Sequence, residues 1–186
     1  MGVEMIFDGI DSWLFYFFNK TLANPFFDSF MPFITETKHW YIFYFLVGLY
    51  LVIKGGARGR VAVILAIILI LGTDQFSNLL KEFFGRVRPC HSLPNVNLLV
   101  GCNDSYSFPS NHAMNNFAAA FLFTYFYPKL KWWFYIAATI ISLSRVFCGV
   151  HYPFDLVVGA VVGILWAMLL VYIWKKFNEK FKILQN

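Results

Sequence analysis

Five stretches of this chain are long, apolar and almost free of charge, and they decide the environment in which it can fold. Trp40–Ile53, Ala113–Pro128 and Trp132–Ser144 carry no charged residue. Leu156–Trp174 adds 19 uncharged residues, and Val61–Leu80 has 20 with a single acid, Asp74. A helix that crosses a bilayer needs about 20 mainly apolar residues. Hydrophobic residues make up 59% of the chain and charged residues 13%. Soluble domains hold roughly 45–50% and about 25% of the two classes. Disorder, a fibrous repeat, a soluble nucleic-acid module and an ordinary cytosolic enzyme are thereby excluded. The reading is an all-α integral membrane helix bundle, one domain over residues 1–186.

Leu22–Thr37 is a sixth candidate span, weakened by Pro25, Asp28 and Pro32. It brings the expected number of transmembrane helices to about six. The N-terminus reads differently. Val3, Ile6, Phe7, Ile10, Trp13, Leu14, Phe17 and Phe18 recur at helical spacing, with Glu4, Asp8 and Asp11 off that stripe. This predicts an amphipathic helix over residues 1–20 that lies in the interface.

Basic residues set the orientation. Lys54, Arg58 and Arg60 fill one loop, Lys129 and Lys131 another, and Lys175, Lys176, Lys180 and Lys182 crowd the tail. Alternating the five strong spans puts all three groups on one side, which the positive-inside rule makes cytoplasmic. The net charge of +5 therefore reads as a topology signal, not as a nucleic-acid surface. If Leu22–Thr37 spans, both termini are cytoplasmic; otherwise the N-terminus lies outside.

The cations on the other side need a different reason. Lys81, Arg88 and Arg145 stand at the outer ends of spans, with His112, His151, Asp155 and Ser110. Ionisable groups at such depth are costly without partners and mark functional sites. Arg presents a planar fork that suits phosphate oxygens, so the three cations can clamp a phosphate and its transition state. Ser110 and backbone N–H groups at the start of the next helix add donors. One imidazole can attack phosphorus while the other protonates the leaving oxygen. Asp155, four residues after His151, can reach back to one ring nitrogen on a helix. His39 and His91 read as ordinary polar groups, and Arg86 as facing solvent or headgroups. Asp74 and Asn78 read as a polar contact between helices.

Three motifs carry a resemblance: Lys81…Arg88-Pro89, Pro109-Ser110-Asn111-His112, and Ser144-Arg145…His151…Asp155. Their order and spacing resemble the type 2 phosphatidic acid phosphatase (PAP2) superfamily, with its K-x6-R-P, P-S-G-H and S-R-x5-H-x3-D signature. The motifs run from Lys81 to Asp155. The resemblance implies that His151 becomes a phosphohistidine, that Asp155 orients it, and that His112 is the general acid. It implies that Lys81, Arg88, Ser110 and Arg145 bind phosphate, without metal or other cofactor. Asn111 stands where the family usually has Gly; its backbone N–H can still donate to phosphate.

Cys90 and Cys102 bracket an outer loop, where a disulfide and two free thiols both stand open. Cys148 is assigned no chemistry, and the three cysteines fit no zinc spacing. The expected enzyme is a lipid phosphatase of a bacterial cytoplasmic membrane, with its site facing the periplasm or exterior. Its expected partners are the bilayer and a lipid phosphate, with no nucleic acid and no obligatory protein. Small bacterial members act on lipid A 1-phosphate, undecaprenyl pyrophosphate or phosphatidylglycerol phosphate, and the reading leans to the first. An anion transporter would want charge near the mid-bilayer, where these spans hold only Asp74. A metal-dependent hydrolase would set a divalent ion against three cations.

Overall fold

A computed structural model describes residues 8–184. Eight α-helices form among these residues, and no strand does. They are α1 (Asp8–Tyr16), α2 (Pro25–Thr35), α3 (Tyr41–Lys54), α4 (Gly56–Phe84), α5 (Pro89–Ser92), α6 (Asn111–Phe126), α7 (Lys131–Phe147) and α8 (Pro153–Phe181). Each of the five apolar runs becomes the body of one helix: α3, α4, α6, α7 and α8. Of these, α4 and α8 are each long and apolar enough to cross a membrane unaided.

The bundle is sorted inside out relative to a soluble protein. No residue of α3 is buried, although Tyr41 to Ile53 are almost all apolar. Patches of that size on a soluble monomer would exceed a few hundred Å² and drive association. The interior is small: Leu65 and Leu69 of α4, Ala118 and Leu122 of α6, and Ala167 and Val171 of α8. Glycine permits the closest approach. A Cβ on Gly159 would stand 2.7 Å from the Ser110 carbonyl, and one on Gly163 would strike the Met114 backbone. The small residues of α8 thus let it lie directly on α6, as small-xxx-small seams do in membranes.

The chain alternates between two ends. One end holds the α3–α4 turn, the α6–α7 turn and the tail of α8, hence all nine basic residues of the topology argument. The other end holds the start of α3, the end of α4, the starts of α6 and α8, and the end of α7. Both N-terminal helices also sit at this second end. Asn19, just beyond α1, donates to the carbonyls of Asn97 (2.8 Å) and Phe147 (2.8 Å). Asp28 of α2 accepts from Asn97, while Thr35 at the far end of α2 accepts from Arg145.

Helix α2 starts where the sequence dictates. Asn24 accepts from the N–H groups of Phe26 and Phe27, and Pro25 takes the first position, where a missing N–H costs nothing. Its 11 residues reach about 16 Å at ~1.5 Å per residue. A hydrocarbon core is about 30 Å thick.

Helix α1 departs from the interfacial reading. Val3, Ile6 and Phe7 of the expected stripe, and Glu4 beside it, lie outside the described residues. Within them, Ile10 and Trp13 are 59% and 65% exposed, while Phe15 is fully buried and Asp11 is 1% exposed. Asp11 was expected on a wet face; the fold turns it inward, because a cationic partner waits there.

Candidate active site

The residues of the three motifs arrive from four helices and the segment that enters a fifth. Lys81 is in the last turn of α4, Arg88 precedes α5, Ser110 caps α6, Asn111 and His112 open α6, Arg145 ends α7, and Asp155 opens α8. Helix α4 ends because Gly85 adopts φ 61°, with its N–H on the Lys81 carbonyl. That left-handed turn favours glycine and sends the chain back across the end of the bundle.

A cavity of about 300 Å³ lies between these ends, lined by Asn78, Lys81, Arg88, Asn103, Ser105, Asn111, His112, Arg145 and His151. Lys81 and Arg88 are each only 5% exposed. Their bonds are to neutral groups. Lys81 donates to the Tyr106 carbonyl at 2.6 Å, and Arg88 Nε donates to the Ser105 carbonyl at 2.7 Å. Arg88 also meets Ser105 Oγ at 2.9 Å and the Val150 carbonyl at 2.9 Å. Arg145 reaches Thr35 Oγ1 at 3.0 Å, and its Nε is buried without a hydrogen-bond partner. Among the described residues, none of these three cations forms an ion pair with a carboxylate. The cavity therefore carries about three positive charges that only an incoming anion can match.

His151 is 2% exposed. Its Nδ1 stands 3.2 Å from Asp155 Oδ2, and Arg88 Nη1 stands 3.1 Å from its Nε2. A guanidinium can only donate, so Nε2 accepts and the proton sits on Nδ1. This tautomer puts the one Nε2 lone pair on the cavity side, where Arg88 holds it until a phosphate oxygen takes the guanidinium. Burial, then the charges of Arg88, Arg145 and Lys81, push the His151 pKa well below the usual histidine range. His112 lines the same cavity, with Nε2 3.3 Å from the Thr35 carbonyl.

Ser110 stands one layer behind the cavity wall. Its Oγ caps the Ala113 N–H at 3.5 Å, and its own N–H donates to the Asp155 carbonyl at 3.1 Å. Asn111 lines the cavity, and its Oδ1 accepts from Ser77 Oγ at 2.5 Å. Asp74 accepts from Asn115 at 2.8 Å, a contact between α4 and α6, whereas Asn78 lines the cavity. His39 stacks on Phe33, away from the site.

The sulfurs of Cys90 and Cys102 are joined, with His91 Nε2 3.2 Å from Cys102 Sγ. These three are the one metal-type cluster among the described residues, and joined sulfurs offer no thiolate to an ion. The segment just after Cys102 presents Asn103 and Ser105 to the cavity. Sequence reading missed both, together with Thr35 at the end of α2; all three are common polar residues, and only the fold brings them here.

Arg86 corrects the sequence reading. It is 13% exposed and bonded to Asp155 and Asp11, each at 2.7 Å. Burial works against its charge, but Asp155 and Asp11 outweigh burial and raise its pKa.

Residues 59–179 match the PAP2 superfamily. The chain is 33% identical over 189 residues to a lipid A 4'-phosphatase of Bacteroides thetaiotaomicron, covering 96% of this chain and 82% of that protein. It is 31% identical over 121 residues to the bacitracin transport permease protein BcrC of Bacillus licheniformis, covering 65% of this chain and 60% of that relative's length. The crystal structure of Aquifex aeolicus LpxE is similar at a TM-score of 0.75 and 25% identity, covering 92% of this chain and 99% of that one.

Proposed function

The chain belongs to the PAP2 superfamily, and from that premise we propose that it hydrolyses the phosphate of a membrane lipid without a metal, through a phosphohistidine at His151. One observation carries this reading. The unprotonated Nε2 of a buried histidine points into a cavity whose three cations lack carboxylate partners.

The step follows from the geometry. Lys81, Arg88 and Arg145 hold the phosphate oxygens, with Asn111 at the start of α6, while Ser110 caps that helix from behind the wall. His151 Nε2 attacks phosphorus, and the bond from phosphorus to the lipid oxygen breaks. His112 gives that oxygen its proton. Water then attacks the phosphohistidine, His112 takes a proton from it, and inorganic phosphate leaves. Asp155 holds the His151 tautomer throughout. Its charge stabilises the ring as it turns cationic.

Five helices, α3, α4, α6, α7 and α8, cross the bilayer. Helix α2 lies across their outer ends, which its length and its contacts at both ends favour. The basic end is cytoplasmic. The site and the N-terminus then face the exterior of a bacterial cytoplasmic membrane, at headgroup depth. The substrate is lipid A phosphate, supported by the relative that covers 96% of the chain; the sequence lean to the 1-position is kept.

The test is phosphate release by the purified protein from lipid A, undecaprenyl pyrophosphate and phosphatidylglycerol phosphate in matched detergent. Lipid A should lead, with acid-labile label trapped on His151 and turnover unchanged in excess EDTA. Release that persists in His151→Ala, or that stops with chelator and returns with metal, refutes the mechanism.

A further inference from the structure

Asp155 has two carboxylate oxygens, and only one of them serves His151. Oδ2 accepts from His151 Nδ1 and from the Tyr152 N–H at 2.9 Å. Oδ1 accepts from Arg86 Nη1 at 2.7 Å. The other arm of the same guanidinium reaches Asp11 Oδ2 at 2.7 Å. Asp11 Oδ1 in turn accepts from the Phe154 N–H at 2.9 Å, on the first turn of α8. The plane of Arg86 lies over the Tyr152 ring, 4.0 Å from its centroid. The connection runs from α1 through Arg86 to both sides of the turn that carries His151 and Asp155.

We propose that Arg86 and Asp11 are positioning residues for the His151–Asp155 pair, which makes helix α1 part of the catalytic apparatus. This rests on the phosphohistidine reading above.

With both oxygens engaged, the Asp155 carboxylate cannot turn about its side chain, so Nδ1–H of His151 keeps one direction. Arg alone would fix the carboxylate but also draw off its charge. Asp11 counters that by sharing the guanidinium. Sharing the guanidinium leaves Asp155 more of its own negative charge behind His151, facing the cations in front of it. A planar fork serves two carboxylates at once in a fixed geometry, which a freely rotating ammonium does not impose. The phosphate clamp is untouched by these contacts, so loss of Arg86 should change the chemistry and not the grip.

The experiment uses the full chain in detergent and whichever of the three lipids the parent turns over fastest, with orthovanadate inhibition as the measure of grip. Arg86→Gln should lower kcat by about 10–100-fold, the scale of a misplaced catalytic group. KM and vanadate inhibition should stay within about threefold, since the clamp is intact. Removing the guanidinium leaves Asp11 and Asp155 facing each other, so adding Asp11→Asn should recover activity about fivefold or more, a non-additive signature. Arg86→Lys keeps the charge but loses the fixed two-armed geometry, and should fall between parent and Arg86→Gln.

Full kcat in Arg86→Gln overturns the proposal. So does a fall in vanadate affinity that matches the fall in kcat, or a double variant that is merely the product of the singles. If Arg86→Gln does not fold, Arg86→Lys and Asp11→Asn carry the test on the same kcat and vanadate readouts. Turnover surviving in His151→Ala would instead remove the phosphohistidine reading beneath it.

Discussion

Gly159→Ala adds one methyl group at the seam that sets the distance between the two histidines. The new Cβ would stand 2.7 Å from the Ser110 carbonyl and 3.1 Å from Ala113 Cβ. Ordinary contact starts at 3.4 Å, so α6 and α8 must part by 0.7 Å at this level. Both neighbours are backbone or Cβ, so no flexible side chain can give way. Overpacking costs about 1–3 kcal/mol, and Ala regains about 1 kcal/mol of helix propensity over Gly. The net loss of stability is therefore about 0–2 kcal/mol by the same figures. Activity should suffer more than stability. His112 rides on α6, while His151 and Asp155 belong to the start of α8, and a displacement near 1 Å can cost about 100-fold in rate. The assay pairs thermal unfolding in detergent with kcat/KM, using Gly48→Ala as control, where a Cβ meets nothing within 4 Å. The expected result is a small shift in Tm for both variants and a 10–100-fold loss of kcat/KM, about the scale above, for Gly159→Ala alone. Parent-like kcat/KM in Gly159→Ala would refute the idea that this seam sets the catalytic distance.

Two further outcomes are expected. Burial and the surrounding cations depress the His151 pKa, so the substrate-free ring stays neutral, with its proton on Nδ1, at pH 6; nitrogen-15 histidine NMR in micelles that shows a midpoint between about 6 and 7, the ordinary range, would contradict this. Cys90→Ser opens the loop closed over a sequence separation of 12 and should destabilise the protein by about 3 kcal/mol on the chain-entropy scale, with a raised KM from the freed Ser105 segment; an unchanged melting curve would argue against it.

The helical framework was readable because lipid makes hydrophobicity contiguous. Uncharged runs such as Leu156–Trp174 can only be helices in a bilayer, and their basic caps sort the ends. The proposed site was readable because its cations and histidines are costly at that depth and so stand out against apolar neighbours. What escaped was everything decided by contact between segments far apart in sequence. Asp11 looks like a polar residue on a surface helix until Arg86, 75 positions away, is brought beside it. Arg86 looks like a spare headgroup cation until its two carboxylates are in place. Helix α2 reads from hydropathy as a sixth candidate span, and its bonds to Asn97 and Arg145 become visible only in the fold. Thr35 and Ser105 gave no signal, since one hydroxyl among many acquires meaning only from position.

Thr35, at the far end of α2, is gripped twice. Its hydroxyl accepts from Arg145, and its carbonyl lies 3.3 Å from His112 Nε2. One residue thus ties the end of α7 to the start of α6 from above. A tilt of α2 away from the bundle cannot release the arginine and leave the histidine held, or the reverse. On the proposed mechanism, helix α2 is a common latch for the two: grip on the anion and aim of the imidazole would be gained together and lost together.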